Sequence, residues 1–406
     1  MNQEKLRKYA RLIAVKGAGV TKGDEVWISC AIDQPDFITM LVEECYKAGA
    51  KTVDVKWASD PIYALHYKYE TVNQLAKTTP YGIARLKYAV KKLPTRIYIS
   101  SEDPDGLKGI NQAKMAKVNM KYYPKVKKYI DVMDAKYKWC IAAVPGKAWA
   151  KKVFPKLSIE EAEEKLWEAI LLTSRVDDND PVENWNKHNA FLNQKKHKLD
   201  SLDLRKLIYK ASNGTDFTVD LIPGIHWGAG EEVLETKGAF NPNIPSEETY
   251  TSPLAGHCEG TLVASKPLSY NGELIEDFSI TFKDGKVSEV HARKNQKLLE
   301  KMVHMDEGAS MLGEVALVPY TSPIRESGIL FYNTLFDENA ACHVALGKGF
   351  KELLDRDVTS EEAKEKGIND SMIHVDFMIG TKDLDIVGVD AKGNKHQIFK
   401  DGEWAI

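Results

Sequence analysis

The apolar positions of this chain follow two different rhythms. Up to about residue 200, short apolar runs alternate with longer segments of helical period. "EVWISCA" (25–31), "KTVDVKW" (51–57), "TRIYISS" (95–101) and "YKWCIAAVP" (137–145) read as strands. Among the segments of helical character, "DFITMLVEECYKAG" predicts a helix closed by Gly49, and "SIEEAEEKLWEAILL" an amphipathic helix whose Ser158 and Glu161 stand at capping-box spacing. Strands separated by helices imply a doubly wound parallel sheet, so the N-terminal part is expected to be α/β. From about Leu202 the segments shorten: "DLRKLIYKA", "TDFTVDLIP", "EGTLVAS", "DFSITFKDGKV" with an Asp284-Gly285 turn, and "LDIVGVDAKGNKHQIFKDGEW". These predict antiparallel strands and hairpins in a mixed α+β C-terminal domain. The boundary is placed at the polar helix end "NQKKHKLD", giving domains 1–200 and 201–406.

Polar residues that interrupt the apolar patterns supply the candidate chemistry. In "SMIHVDFMIG", Ile373, Val375, Phe377 and Ile379 take one face of a strand, so His374 and Asp376 share the other, about 7 Å apart along the backbone. Unpaired, either would cost on the order of 1–3 kcal/mol; a divalent metal satisfies both, and a solvated sheet face is the plainer alternative. In "MLGEVALVPYTSP", Glu314 sits at the edge of an apolar strand, where an acid calls for a cation; a surface or capping acid is the plainer alternative. In "NPNIPSEETYTSP", Glu247 and Glu248 are neighbours in an extended segment and point to opposite sides, and the pattern does not choose between them. "FDENAACHVALG" predicts a helix from about Asn339, capped by Asp337 or Asn339 and favoured by Ala340, Ala341 and Ala345. On such a helix Glu338 lies at the mouth and His343 is either a ligand or a hydrogen-bonded core histidine.

Composition changes this picture little. The 406 residues carry 59 acids and 56 Lys or Arg, a formal charge of −3, which gives no bulk attraction to nucleic acid or to an anionic membrane. No apolar run approaches the ~20 residues of a membrane span, and "MNQEKLRKYA" is charged and amphipathic, unlike a signal peptide. Five scattered cysteines (Cys30, Cys45, Cys140, Cys258, Cys342) without a CxxC pair point to reduced thiols and a cytoplasmic protein. Cys342 reads as a small packing residue. The glycines of "KGAGVTKGD" (Gly17, Gly19, Gly23) are spaced too widely for a dinucleotide fingerprint and precede the strand, so they read as a helix-ending turn. HExxH is absent.

Five stretches, "NIPSEETYTSP", "GTLVASKPL", "LGEVALVP", "LFDENAACHVALG" and "HVDFMIG", resemble in order and spacing the metallo-aminopeptidases related to aminopeptidase T, aminopeptidase S and PepS, with weaker similarity reaching "DPVENWNKHN". The resemblance implies a dinuclear site of Glu248, Glu314, Glu338, His343, His374 and Asp376, selecting Glu248 over Glu247. It also implies peptide substrates with a free N-terminus and a homodimer whose N-terminal domain helps to enclose the site. Four carboxylates and two imidazoles would neutralise two divalent ions, with Zn²⁺, Co²⁺, Mn²⁺ and Mg²⁺ all compatible. Such a pair holds a shared water of lowered pKa and polarises a carbonyl. The chain departs from the family where a tyrosine follows the site histidine by seven residues and is thought to hydrogen-bond the tetrahedral intermediate: that position is Phe350. Losing one such donor costs roughly 10²–10³ in rate, unless Tyr332, Tyr320 or a backbone amide replaces it. A non-catalytic metal- or peptide-binding homologue and an amidohydrolase acting on non-peptide amides are the alternative readings.

Overall fold

The structure is a computed structural model and describes residues 2–177, 179–354 and 358–406. The chain divides into two compact units, Met1–Asn186 with Glu231–Ile244, and Lys187–Gly230 with Pro245–Ile406. The division falls inside the helix Pro181–Ser201, of which residue 200 is near the end. The excursion 231–244 into the first unit leaves no mark in composition, because it is a short two-stranded hairpin whose attachment is decided by contacts.

The first unit is α/β. Its parallel sheet has the order Thr52–Ala58, Glu25–Ala31, Thr95–Ser100, Trp139–Ala143, all within a residue or two of the predicted strands. The first crossover runs to one side and the next jumps back across the first strand, which for right-handed connections puts helices on both faces. Helix Pro35–Lys47 supplies the first crossover and gives way to Gly49 at φ +109°. Helix Ile159–Thr173 begins with the Ser158–Glu161 capping box. The "KGAG" glycines end the N-terminal helix, whose last turn widens to a π-turn at Ile13–Gly17.

The second unit is built from two antiparallel sheets. A nine-stranded sheet includes Leu204–Lys210, Asp216–Leu221, Pro253–Val263, Glu273–Lys283, Lys286–Lys294, Asp385–Asp390 and Lys395–Lys400. The Asp284-Gly285 turn closes its longest hairpin with φ of +51° and +75°, the pair of positive values that a two-residue hairpin turn requires. A five-stranded sheet has the order His374–Met378, His343–Gly347, Leu312–Leu317, Thr249–Thr251, Gly228–Ala229. One face of it, with Val315, Leu317, Val344, Leu346, Phe377 and Ile379, joins Leu207, Phe217, Leu262, Ile280, Ile386 and Phe399 of the large sheet in a single apolar core. Its other face carries the polar residues singled out above.

One expectation fails here. Residues 343–347 are a strand and not a helix. A short helix, Thr334–Asp337, runs into a 3₁₀ turn at Glu338–Ala340, and Ala341 turns the chain extended. The alanines have high helical propensity, but position 343–347 is the buried middle of the sheet, hydrogen-bonded on both sides, and tertiary pairing overrides propensity.

Candidate metal centre

Register assembles the site. Glu314, Ala345 and Asp376 stand opposite one another across three adjacent strands, and Ala316 faces His343 in the next row. Residues paired in this way project to the same face, so Glu314, His343, His374 and Asp376 meet on the side opposite the apolar core. Alanine at 345 and 316 leaves the room they fill. A bulge between Leu312 and Glu314 offsets the strand just before the glutamate. Gly313 makes it possible: a Cβ there would stand 2.3 Å from the Lys348 carbonyl oxygen.

Glu248 enters from the start of the neighbouring strand, and its Oε2 lies 3.1 Å from His343 Nε2. Glu247 turns the other way, its Oε2 3.8 Å from His188 Nε2, as expected for neighbours in an extended chain. His374 Nε2 lies 3.0 Å from Glu314 Oε2 and 3.3 Å from Asp376 Oδ1. Two groups of donor atoms therefore converge, Glu248–Glu314–His343 and Glu314–His374–Asp376, each with all atoms within 4.8 Å and Glu314 common to both. Glu338 is buried beside them without joining either group. Burial, reinforced by the charges of Asp376 and Glu248, pushes its carboxyl well above the usual range. Its neighbour Asp337 has a structural task, accepting the backbone N–H of Phe331 and Asn333 at 3.0 Å each.

These residues fit a bound cation. His343 Nδ1 lies 3.1 Å from the Ala341 carbonyl oxygen and His374 Nδ1 2.7 Å from that of Lys348. Carbonyls only accept, so each Nδ1 donates and each Nε2 is left as a lone pair aimed at carboxylate oxygens. Lone pairs so close repel unless a proton or a metal lies between them. Asp376 Oδ1 is buried without a hydrogen-bond partner among the described residues. Without metal, protons fill the gap. Burial opposes a charged imidazole, yet the hydrogen bond to Glu248 and the surrounding carboxylates hold His343 up at about 10. His374 is raised well above its ordinary value against the same burial cost, by Asp376 and Glu314. Burial lifts Glu314 to about 7; burial also pushes Asp376 upward, but the charge and hydrogen bond of His374, with the charge of His343, together draw it down to about 2.

Two features escaped the sequence reading. Asn339, wholly buried, donates from Nδ2 to the Leu335 carbonyl at 2.9 Å and to Glu338 Oε1 at 3.3 Å, and its Oδ1 accepts from the Glu247 backbone N–H at 2.7 Å. It ties the segment of Glu248 to that of Glu338; the sequence marked it only as a possible helix cap, and nothing local signalled its reach to residue 247. The second feature is Tyr250. Phe350 packs against both His374 and Tyr250, with ring centroids 5.1 and 5.2 Å apart. The Tyr250 ring leans over Gly228, where a Cβ would approach its Cζ to 2.4 Å. Tyr320, considered above as a replacement donor, instead stacks on the Arg325 guanidinium at 3.8 Å and lines a pocket that none of the six residues enters. Cys342 is buried in the apolar core, bonded to the Val318 backbone and raised to about 12 by burial, so it is a packing residue.

The thermophilic metalloprotease (M29) family model matches residues 2–404. The chain is 37% identical to aminopeptidase AmpS of Bacillus subtilis over 99% of its length and 98% of the relative's. It is 34% identical to aminopeptidase T of Thermus aquaticus, with 99% of each chain covered. Wild-type AmpT from Thermus thermophilus, a solved structure, superposes with a TM-score of 0.90 at 32% identity over the full length of both chains. By sequence and fold together, the chain belongs to the thermophilic metalloprotease (M29) family.

Proposed function

We propose that this chain, a metal-dependent aminopeptidase by family, removes the N-terminal residue of peptides at a centre for two divalent ions held by Glu248, Glu314, Glu338, His343, His374 and Asp376. The observation that carries the reading is the pair of converging donor groups that share Glu314, whose carboxylate would serve both groups. Bound ions of the Zn, Co, Mn or Mg type supply Lewis acidity and a nucleophile at neutral pH. The chain's own part is to orient the donors. His343 and His374 are locked by their Nδ1 hydrogen bonds. Glu338 is steadied by Asn339. Phe350 places an apolar ring beside His374 and offers no hydroxyl. The reading extends to residues 201–406 as the catalytic domain, to a homodimer and to the cytoplasm. Among the described residues no helix is long and apolar enough to cross a membrane.

Elemental analysis coupled to an assay on free and N-acetylated peptides tests it. The expected result is two ions per chain, cleavage of free-amine peptides only, and loss of cleavage on chelation. Metal without turnover would favour a binding homologue, and cleavage of blocked substrates an amidohydrolase.

A further inference from the structure

A parallel strand covered on both faces is normally apolar on both. In the first unit one sheet face departs from this. Trp27 pairs with Asp54 and Arg96, and Ser29 with Lys56 and Tyr98, so six polar or aromatic residues lie together on it. They floor a pocket of about 490 Å³, walled by Arg85 from the helix Pro80–Lys92 and rimmed by Tyr81 and Tyr122. None of the proposed metal ligands lines it.

Its charges do not balance. Three cations, Lys56, Arg85 and Arg96, meet one acid, Asp54, which is already bonded to Arg85 at 2.8 Å. Arg96 has no carboxylate within ion-pair distance among the described residues; its terminal nitrogens reach only the Tyr98 hydroxyl and the Met133 sulfur, both at 3.4 Å. Its Nε is buried with no hydrogen-bond partner among the described residues. Rings hold both arginines in place: Arg96 lies 4.3 Å from the Tyr137 centroid and Arg85 4.0 Å from that of Trp27. A guanidinium fixed by aromatic faces keeps its planar fork of donors, which matches a carboxylate or a phosphate. At the mouth, Tyr81 is 74% and Tyr122 40% exposed, large rings that the fold itself does not bury. The pocket has the size of a small-ligand site.

We propose that this pocket binds an aromatic ring bearing an oxyanion, with Arg96 and Arg85 taking the carboxylate or phosphate and the rim tyrosines stacking on the ring. Titration calorimetry on the full-length protein tests it with two probes, adenosine monophosphate for a phosphate source and N-acetyl-L-tryptophan for a carboxylate source, whose blocked amine is no aminopeptidase substrate. Inorganic phosphate and indole serve as the two halves. At least one probe is expected to bind one-to-one and about tenfold or more tighter than either half, and which probe does so identifies the source. Arg96→Met should weaken that binding about tenfold, and Tyr81→Ser, on the exposed rim, several-fold, with aminopeptidase activity unchanged. Tyr81→Ser alone decides the matter if Arg96→Met fails to fold. The proposal is overturned if neither probe binds better than its halves, or if binding is unaltered in the folded variants.

Discussion

At the scale of single residues, the proposed ligands are acids and imidazoles gathered on one buried face, with the donor atoms of Glu248, Glu314 and His343, and of Glu314, His374 and Asp376, converging. His374 and Asp376 share one strand face, and Asp376 Oδ1 lacks a hydrogen-bond partner among the described residues. His374→Ala or Asp376→Ala should lower bound metal and activity together while the chain stays folded. His291→Ala should change neither, because His291 is exposed and its side chain pairs with the exposed Glu289; full activity and metal content in His374→Ala would remove that strand from the site. Asn339 acts through others, so Asn339→Ala is expected to weaken metal binding, visible in the Co²⁺ absorption spectrum, more than it changes KM. Phe350 tests the departure from the family. Its ring lies against His374, so Phe350→Tyr would bring a hydroxyl to the site and should raise kcat about tenfold, roughly 1.4 kcal/mol of barrier, with KM little changed. Finding room for the oxygen costs ~1 kcal/mol or more, which limits the gain. A folded, metal-loaded variant with no gain would mean that another donor already serves.

At the scale of elements, the strand His343–Gly347 puts Val344 and Leu346 in the apolar core and, in the proposed site, His343 on the opposite face. Its two faces should respond differently. Leu346 is fully buried in the apolar core, and Leu346→Ala should cost ~2–5 kcal/mol of stability while leaving metal stoichiometry intact. Ala345 sits between Glu314 and Asp376 in register. Ala345→Leu would push a branched side chain into the row where the carboxylates converge, with an overpacking cost of ~1–3 kcal/mol and loss of bound metal. Thermal unfolding alongside metal analysis separates the two, and equal metal loss in both variants would contradict the assignment of faces.

At the scale of the whole molecule, the proposed site would couple folding, metal and pH. Glu314 is raised to about 7, so between its unfolded value near 4.5 and 7 the folded chain holds a proton that the unfolded chain has lost, and stability falls as pH rises through that window. His343, raised to about 10, contributes stability that is full below about 6.5 and is lost as pH climbs to 10. Asp376, lowered to about 2, contributes above 3.8 and loses its contribution only in strong acid. The metal-free protein is therefore expected to be most stable in mild acid. Metal reverses the trend, since it must displace these protons and binds more tightly as pH rises. Unfolding temperatures measured from pH 5 to 9 with and without chelator should diverge toward high pH, the loaded form gaining about 2.7 kcal/mol when free metal is a hundred times its Kd. Parallel curves would mean that no metal displaces protons from these residues.

What the sequence determined by itself was local or periodic. Strand and helix identities in the first unit, the Asp284-Gly285 turn, the capping box at Ser158 and the two faces of the 373–379 strand all follow from spacing over a few residues. The opposite orientation of Glu247 and Glu248 was equally legible, because neighbours on an extended chain diverge. The tertiary structure alone decided the state of residues 343–347, where helix-forming alanines yield to strand pairing on both sides. It also decided the register that sets Ala345 between two acids, the bulge at Gly313, the reach of Asn339 to residue 247, and the gathering of Lys56, Arg85 and Arg96 into one pocket. Each of these depends on contacts between residues far apart in the chain, which no local period encodes.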